Sequence, residues 1–167
     1  MEQHSEENLK TQLTEYLYRD QEKFYRVAYS YVKDKDTAFD VIQEAIVKAL
    51  NKIHSLREPN YMRTWFYRIL INESITALRK SKRQFPAISE LPDTPCTDRD
   101  PTEFLDITNA IDQLDPKLKT IILLRFFEDM KLEEIAQITK TNLSTVKSRL
   151  YRALNQLKTL LGEEEIL

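Results

Sequence analysis

Along most of the chain, apolar residues recur every three or four positions with polar residues between them, the spacing of helices that bury one face. Phe24, Val27, Ala28 and Tyr31 mark the inner side of a helix expected from about Leu9 to Val32. "KDKD", residues 33–36, breaks it and offers Asp34 or Asp36 as the N-cap of the next helix. That second helix, about 37 to 53, carries Ala38, Val41, Ile42, Ala45, Ala49 and Ile53 on one side. "SLREPN" reads as a loop, and its Pro59 suits a turn or a helix start. A third helix, about 61 to 82, is apolar on two sides, with Met62, Trp65, Phe66 and Ile69 on one and Tyr67, Ile71 and Leu78 nearly opposite. Such a helix is expected between neighbours, with Trp65 in the core.

The periodicity then stops. "QFPAISELPDTPCTDRDP", residues 84–101, holds four of the six prolines. Prolines so spaced forbid a long helix, and the stretch reads as a linker. Beyond it, Phe104 to Leu114 predicts a short helix, and Pro116 opens another with a strong apolar run of Leu118, Ile121, Ile122 and Leu124 to Phe127. "LEEIAQI", 132–138, is a brief amphipathic helix, "TKTN" a turn, and a last helix comes after it. The pattern is all-α: two small helical domains, residues 1–83 and 102–167, joined by a flexible acidic linker over 84–101.

Composition sharpens this. The 167 residues contain one glycine, where average usage would give roughly twelve. Hairpins, bulges and phosphate loops depend on glycine, so a β-rich fold, a P-loop and a dinucleotide fingerprint are all disfavoured. One cysteine, Cys96, and two histidines permit no internal disulfide and no Cys/His metal cluster. No cofactor and no nucleophile–base pair suggests itself, so an enzyme is not expected. The acidic start "MEQHSEENLK" is no signal peptide, and the apolar runs are far too short to span a membrane. A cytoplasmic protein is expected. Residues 1–83 hold 15 basic and 12 acidic groups, residues 84–106 hold 1 and 6, and residues 107–167 hold 9 and 9. The acidity thus sits in and beside the linker, which when extended reaches up to roughly 60 Å.

The last two helices carry the clearest chemistry. A short helix, a tight turn and a longer helix with a hydroxyl-rich, basic outer face form a helix-turn-helix. Asn142 is placed to cap the second helix, with Thr145 three residues on. Val146, Leu150, Leu154, Leu157 and Leu161 share its inner side. Ser144, Thr145, Ser148, Tyr151, Arg152 and Asn155 fall opposite, and Lys147 and Arg149 lie on the flanks. The outward arginine can reach guanine in a major groove, and the flanking cations can reach phosphates. Cations outside an amphipathic helix are otherwise ordinary solvated charge. The short preceding helix and the capped turn favour DNA.

With those residues in view, the chain resembles the extracytoplasmic-function sigma factors of bacterial RNA polymerase. "LDPKLKTIILLRFFEDMKLEEIAQITKTNLSTVKSRLYRAL" is similar to family region 4, which reads the −35 promoter element. "DTAFDVIQEAIVKAL" and "YMRTWFYRILINESITALRKSKR" are similar to region 2, which binds the polymerase and reads and melts the −10 element. The resemblance covers about residues 16 to 161. Three positions depart from the family pattern: Lys140 stands where the turn usually has glycine, Thr76 where an aspartate is common, and Ala45–Ile46 where a large aromatic often follows.

The resemblance implies promoter recognition rather than turnover, with core RNA polymerase and promoter DNA as partners. It also implies an anti-sigma factor, often membrane-anchored, for a chain that is not itself a membrane protein. Asp40, Gln43 and Glu44, outward on the second helix, would dock on the polymerase clamp helices. Tyr61, Arg68, Asn72 and Arg79 are spaced by seven, four and seven, so they form one strip. An aromatic, guanidinium groups and an amide in line suit single-stranded DNA, and Arg79, Lys80, Lys82 and Arg83 would hold its backbone. The −35 set is Ser144, Thr145, Lys147, Ser148, Arg149, Tyr151 and Arg152. A net charge of −2 suits a factor that borrows DNA affinity from a larger basic enzyme. The rival is a stand-alone helix-turn-helix regulator, which explains residues 132–161 but not the first domain.

Overall fold

A computed structural model describes residues 2–84 and 102–162, and among them it contains helices and no strand. The chain divides into two compact units, Met1–Arg79 and Lys80–Leu167. The stretch read as a linker lies, except for Gln84, outside the described residues.

The first unit is built from α1 (Glu2–Arg19), α2 (Gln21–Val32), α3 (Lys35–Asn51) and α4 (Met62–Gln84). The single first helix expected from the sequence is two. Asp20 leaves helical geometry at φ −105°, ψ 16°, and its carbonyl begins α2 by accepting from Lys23 and Phe24. The apolar stripe runs through this break without a gap, so periodicity alone does not reveal it. Both helices feed one aromatic core, in which Tyr16 meets Phe24 edge-on at 5.5 Å, and Phe24 meets Phe66 at 4.7 Å and Tyr67 at 5.7 Å.

Lys33 ends α2 in the left-handed region at φ 56°. Asp34, one of the two expected caps, takes the role: its carboxylate accepts from the Thr37 N–H at 2.9 Å and the Thr37 hydroxyl at 2.7 Å. These bonds hold the Asp34 carboxyl below its ordinary pKa. Helix α3 buries Ala38, Val41, Ile42, Ala45 and Ala49, as its spacing predicts. Two short 3-10 turns, Ile53–Ser55 and Pro59–Tyr61, carry the chain into α4.

Helix α4 corrects an expectation. It is not buried on two opposite sides. Phe66, Tyr67, Leu70, Ile71 and Ser74 are buried together, and at 100° per residue they occupy one continuous face. The two apolar groups seen in the sequence are the margins of this face. Trp65 and Ile69 are half-buried on one edge and Leu78 on the other.

The second unit holds α5 (Thr102–Asp112), α6 (Pro116–Ile122), a π turn (Leu123–Phe127), α7 (Leu132–Thr139) and α8 (Leu143–Leu161). Ala110, Ile111, Leu114, Leu118, Ile122, Ala153 and Leu157 form an aliphatic core. Asp115 caps α6 by accepting from the Lys117 N–H at 2.9 Å. Lys119 is buried and its Nζ donates to Asp112 Oδ1 at 3.2 Å, tying α6 to α5. The π turn closes with the Glu128 N–H donating to the Leu123 carbonyl at 3.1 Å, five residues back. The extra residue rotates the chain downstream of it, so Phe126 and Phe127, expected inside with Leu124, face solvent, while Met130 fills the core.

Candidate nucleic-acid interface

The helix-turn-helix is assembled by local bonds. Glu134 Oε2 accepts from the Lys131 N–H at 2.8 Å, satisfying a donor at the start of α7. Lys140 ends α7 at φ 53°, ψ 43°, and both its N–H and that of Thr141 reach the Ala136 carbonyl. A residue with a side chain therefore occupies the left-handed turn position where the family pattern has glycine, at a cost of about 1–2 kcal/mol. The Thr139 and Thr141 hydroxyls meet at 2.9 Å across the turn. Asn142 then caps α8, its Oδ1 accepting from the Thr145 N–H at 2.8 Å.

This cap and the buried stripe fix which side of α8 faces out. Val146, Ala153 and Leu157 are buried, and Leu150, Leu154 and Leu161 pack against the aliphatic core. Ser144, Lys147, Ser148, Arg152 and Asn155 are exposed, and Tyr151 is 68% exposed. Thr145 and Arg149 are half-buried at the margins. The seven residues expected to meet a duplex thus lie on one surface, with hydroxyls and Lys147 near the capped end and Tyr151 and Arg152 one turn further along. Arg152 and Asn155 also border a shallow groove with Gln113 at the end of α5.

In the first unit, Asn72, Arg79 and Lys80 are exposed and Arg68 is half-buried on α4. Tyr61 is exposed but belongs to the 3-10 turn before the helix rather than to the helix itself. The strip lies opposite the buried face. Trp65 belongs beside it, contrary to its expected place in the core. Its indole N–H donates to Ser55 Oγ at 3.2 Å, and Ser55 in turn donates to the Lys52 carbonyl at 2.7 Å. Trp65 and Asn72 are seven residues apart, about 20° on a helical wheel. That spacing is the signal in the sequence that could have placed the indole on the strip.

On α3, Asp40, Gln43 and Glu44 are exposed together. Lys48, one turn on, is bound to Glu73 of α4 by a charged hydrogen bond. That bond, aided by the charges of Glu73 and Glu44, holds the Lys48 amine above its ordinary pKa. The outward face of α3 is therefore left with a polar and acidic character. Among the described residues, no group of His, Cys, Asp or Glu is arranged to hold a metal, and no helix is long and apolar enough to cross a membrane.

Two helical units, one ending in a capped helix-turn-helix, define a class of multi-domain DNA-reading factor. Residues 17–84 match the family Sigma-70 region 2, and residues 104–157 match Sigma-70, region 4. The RNA polymerase sigma factor SigV of Bacillus subtilis (strain 168) is 44% identical over 154 residues, covering 86% of this chain and 87% of its own. The ECF RNA polymerase sigma factor SigW of the same organism is 29% identical over 163 residues, covering 88% and 86%. Among solved structures, the sigma factor RpoE of Bartonella quintana, in complex with the anti-sigma factor NepR, shares the fold at a TM-score of 0.72. It is 24% identical and covers 91% of this chain and 98% of its own. CnrH, in complex with the cytosolic domain of CnrY, shares it at 0.67 and 18% identity, covering 92% and 89%. The chain belongs to the sigma-70 family of RNA polymerase sigma factors, in its extracytoplasmic-function group. A stand-alone helix-turn-helix regulator would not carry the region 2 half.

Proposed function

We propose that the two units divide promoter recognition between them. Residues 1–83 act as the region 2-like module, residues 102–167 as the region 4-like module, and residues 84–101 as the acidic link. On the first module, Asp40, Gln43 and Glu44 dock on core RNA polymerase, where a polar, partly acidic face fixes orientation more than affinity. Tyr61, Arg68, Asn72, Arg79 and Lys80, joined by Trp65, track the separated −10 strand, with rings stacking on bases and cations on phosphates. On the second module, Arg152 and its neighbours from Ser144 to Tyr151 read the −35 duplex.

The observation that carries this reading is the orientation of α8: its cap and buried stripe leave one hydroxyl-, cation- and aromatic-bearing surface in solvent. A net charge of −2 supports the division of labour, because phosphate neutralisation by so little positive charge gives weak binding to free DNA. The chain acts in the cytoplasm, where its polymerase is, and contributes recognition rather than catalysis. An anti-sigma factor, of the kind seen on the RpoE and CnrH relatives, holds it inactive.

The test is run-off transcription. Core polymerase with the purified chain should initiate at specific promoters in genomic DNA, and core polymerase alone should not. Tight, sequence-specific footprinting of duplex DNA by the chain without polymerase would overturn this reading in favour of a stand-alone regulator.

A further inference from the structure

The first unit carries an apolar groove of about 820 Å³ that its own core does not fill. Leu17 and Tyr18 of α1, Tyr25 of α2, and Phe39, Ile46 and Leu50 of α3 form its walls. Tyr18 is 77% exposed, Phe39 46% and Leu50 40%, an unusual concentration of large apolar surface for a small unit. The walls are already ordered: Tyr25 lies against Phe39 at 5.1 Å and stacks on Tyr29 at 5.8 Å. A cylinder about 10 Å across and 10 Å long has this volume, so roughly two turns of α-helix would occupy it.

The charges beside the groove choose the kind of helix. Glu22 is in the lining, and exposed Asp36, Asp40 and Glu44 succeed one another along the adjoining face of α3. Arg26 is the cation of the lining, and Lys48, further along α3, is engaged by Glu73. The floor is apolar and the rim predominantly acidic.

We propose that this groove seats an amphipathic α-helix of a partner protein, its apolar stripe on Tyr18, Phe39, Ile46 and Leu50 and its Lys/Arg flanks toward Glu22, Asp36, Asp40 and Glu44. Asp40 and Glu44 also belong to the face assigned above to polymerase. Competition between the two ligands rests on that assignment; the seat itself does not depend on it.

Two fluorescein-labelled, 18-residue helical peptides test the seat, both with leucines at three- and four-residue spacing, one flanked by lysines and the other by glutamates. Titrated with the full chain, the lysine peptide should bind at least tenfold tighter than the glutamate peptide, and its affinity should fall as salt rises. Leu50→Glu and Tyr18→Ser should each weaken it about tenfold or more with an unchanged unfolding temperature. Equal binding of the two peptides, absence of binding, or indifference to both substitutions overturns the proposal. So does a concentration-dependent dimer that Leu50→Glu dissolves, since the occupant would then be a second copy. Polymerase capture is measured in parallel. Retained capture by Tyr18→Ser alongside lost peptide binding supports a separate seat. Failed capture by the unsubstituted chain sinks the polymerase assignment and leaves the groove standing.

Discussion

The two units are both helical, but different forces specify them. The first is held by large rings contributed from distant positions: Tyr16, Phe24, Phe66 and Tyr67 interlock from α1, α2 and α4. The second has an aliphatic core and short helices whose ends are tied by nearby bonds at Asp115, Glu134 and Asn142, with Gly162, the only glycine, in the left-handed position after α8. Non-local ring packing fixes α4 as a platform with one polar strip. Local capping fixes α8 as a readable surface whose aim depends on a four-residue turn. A binding face can be oriented from far away or from next door.

Substitutions can break or sharpen this contrast. The largest effect is expected from Phe24→Ala, which empties the centre of the ring cluster and should cost the first unit about 3–5 kcal/mol. Hydrogen exchange should then show protection lost in α1–α4 and kept in α5–α8; loss in both would mean that the units do not fold independently. Next, Arg152→Ala should weaken −35 discrimination by about 1–3 kcal/mol in holoenzyme binding, with helicity and stability unchanged. Asn142→Ala removes the cap and should lower the stability of the second unit by about 1 kcal/mol, visible as a reduced unfolding midpoint.

The smallest effect concerns Lys48. Its folded pKa is raised by Glu73, so the pair's contribution is whole below the ordinary lysine value of about 10.4 and disappears as pH climbs through the raised one. Lys48 is about half exposed, so the contribution should be roughly 0.5 kcal/mol or less. The stability difference between the chain and Lys48→Met should stay constant from about pH 6 to 9 and shrink above about 10.

The contrast also explains how much could be read from sequence. In the second unit the signals lie side by side in the chain: Pro116 opening α6, Asn142 three residues before Thr145, the stripe from Val146 to Leu157. The left-handed turn at Lys140 is legible for the same reason. In the first unit the missed features are set by distant partners. The break at Asp20 keeps the apolar spacing intact, so only the packing of α1 and α2 reveals it. Trp65 has the spacing of a core residue, but Phe66, Tyr67 and Leu70 take the interior and Ser55 holds the indole at the edge. Phe126 and Phe127 belong to the same class of error in the second unit, since a π turn leaves no mark in a pattern of apolar residues.

That turn bears on how the chain can vary. A π turn contains one residue more than the α turn it replaces, and each residue of helix carries its successors around by about 100° and forward by about 1.5 Å. Between Leu123 and Phe127, then, length is held more tightly than identity. Exchanging one aliphatic for another there leaves the promoter-facing surface where it is. Deleting a single residue would preserve every side chain of α8 and misdirect them all.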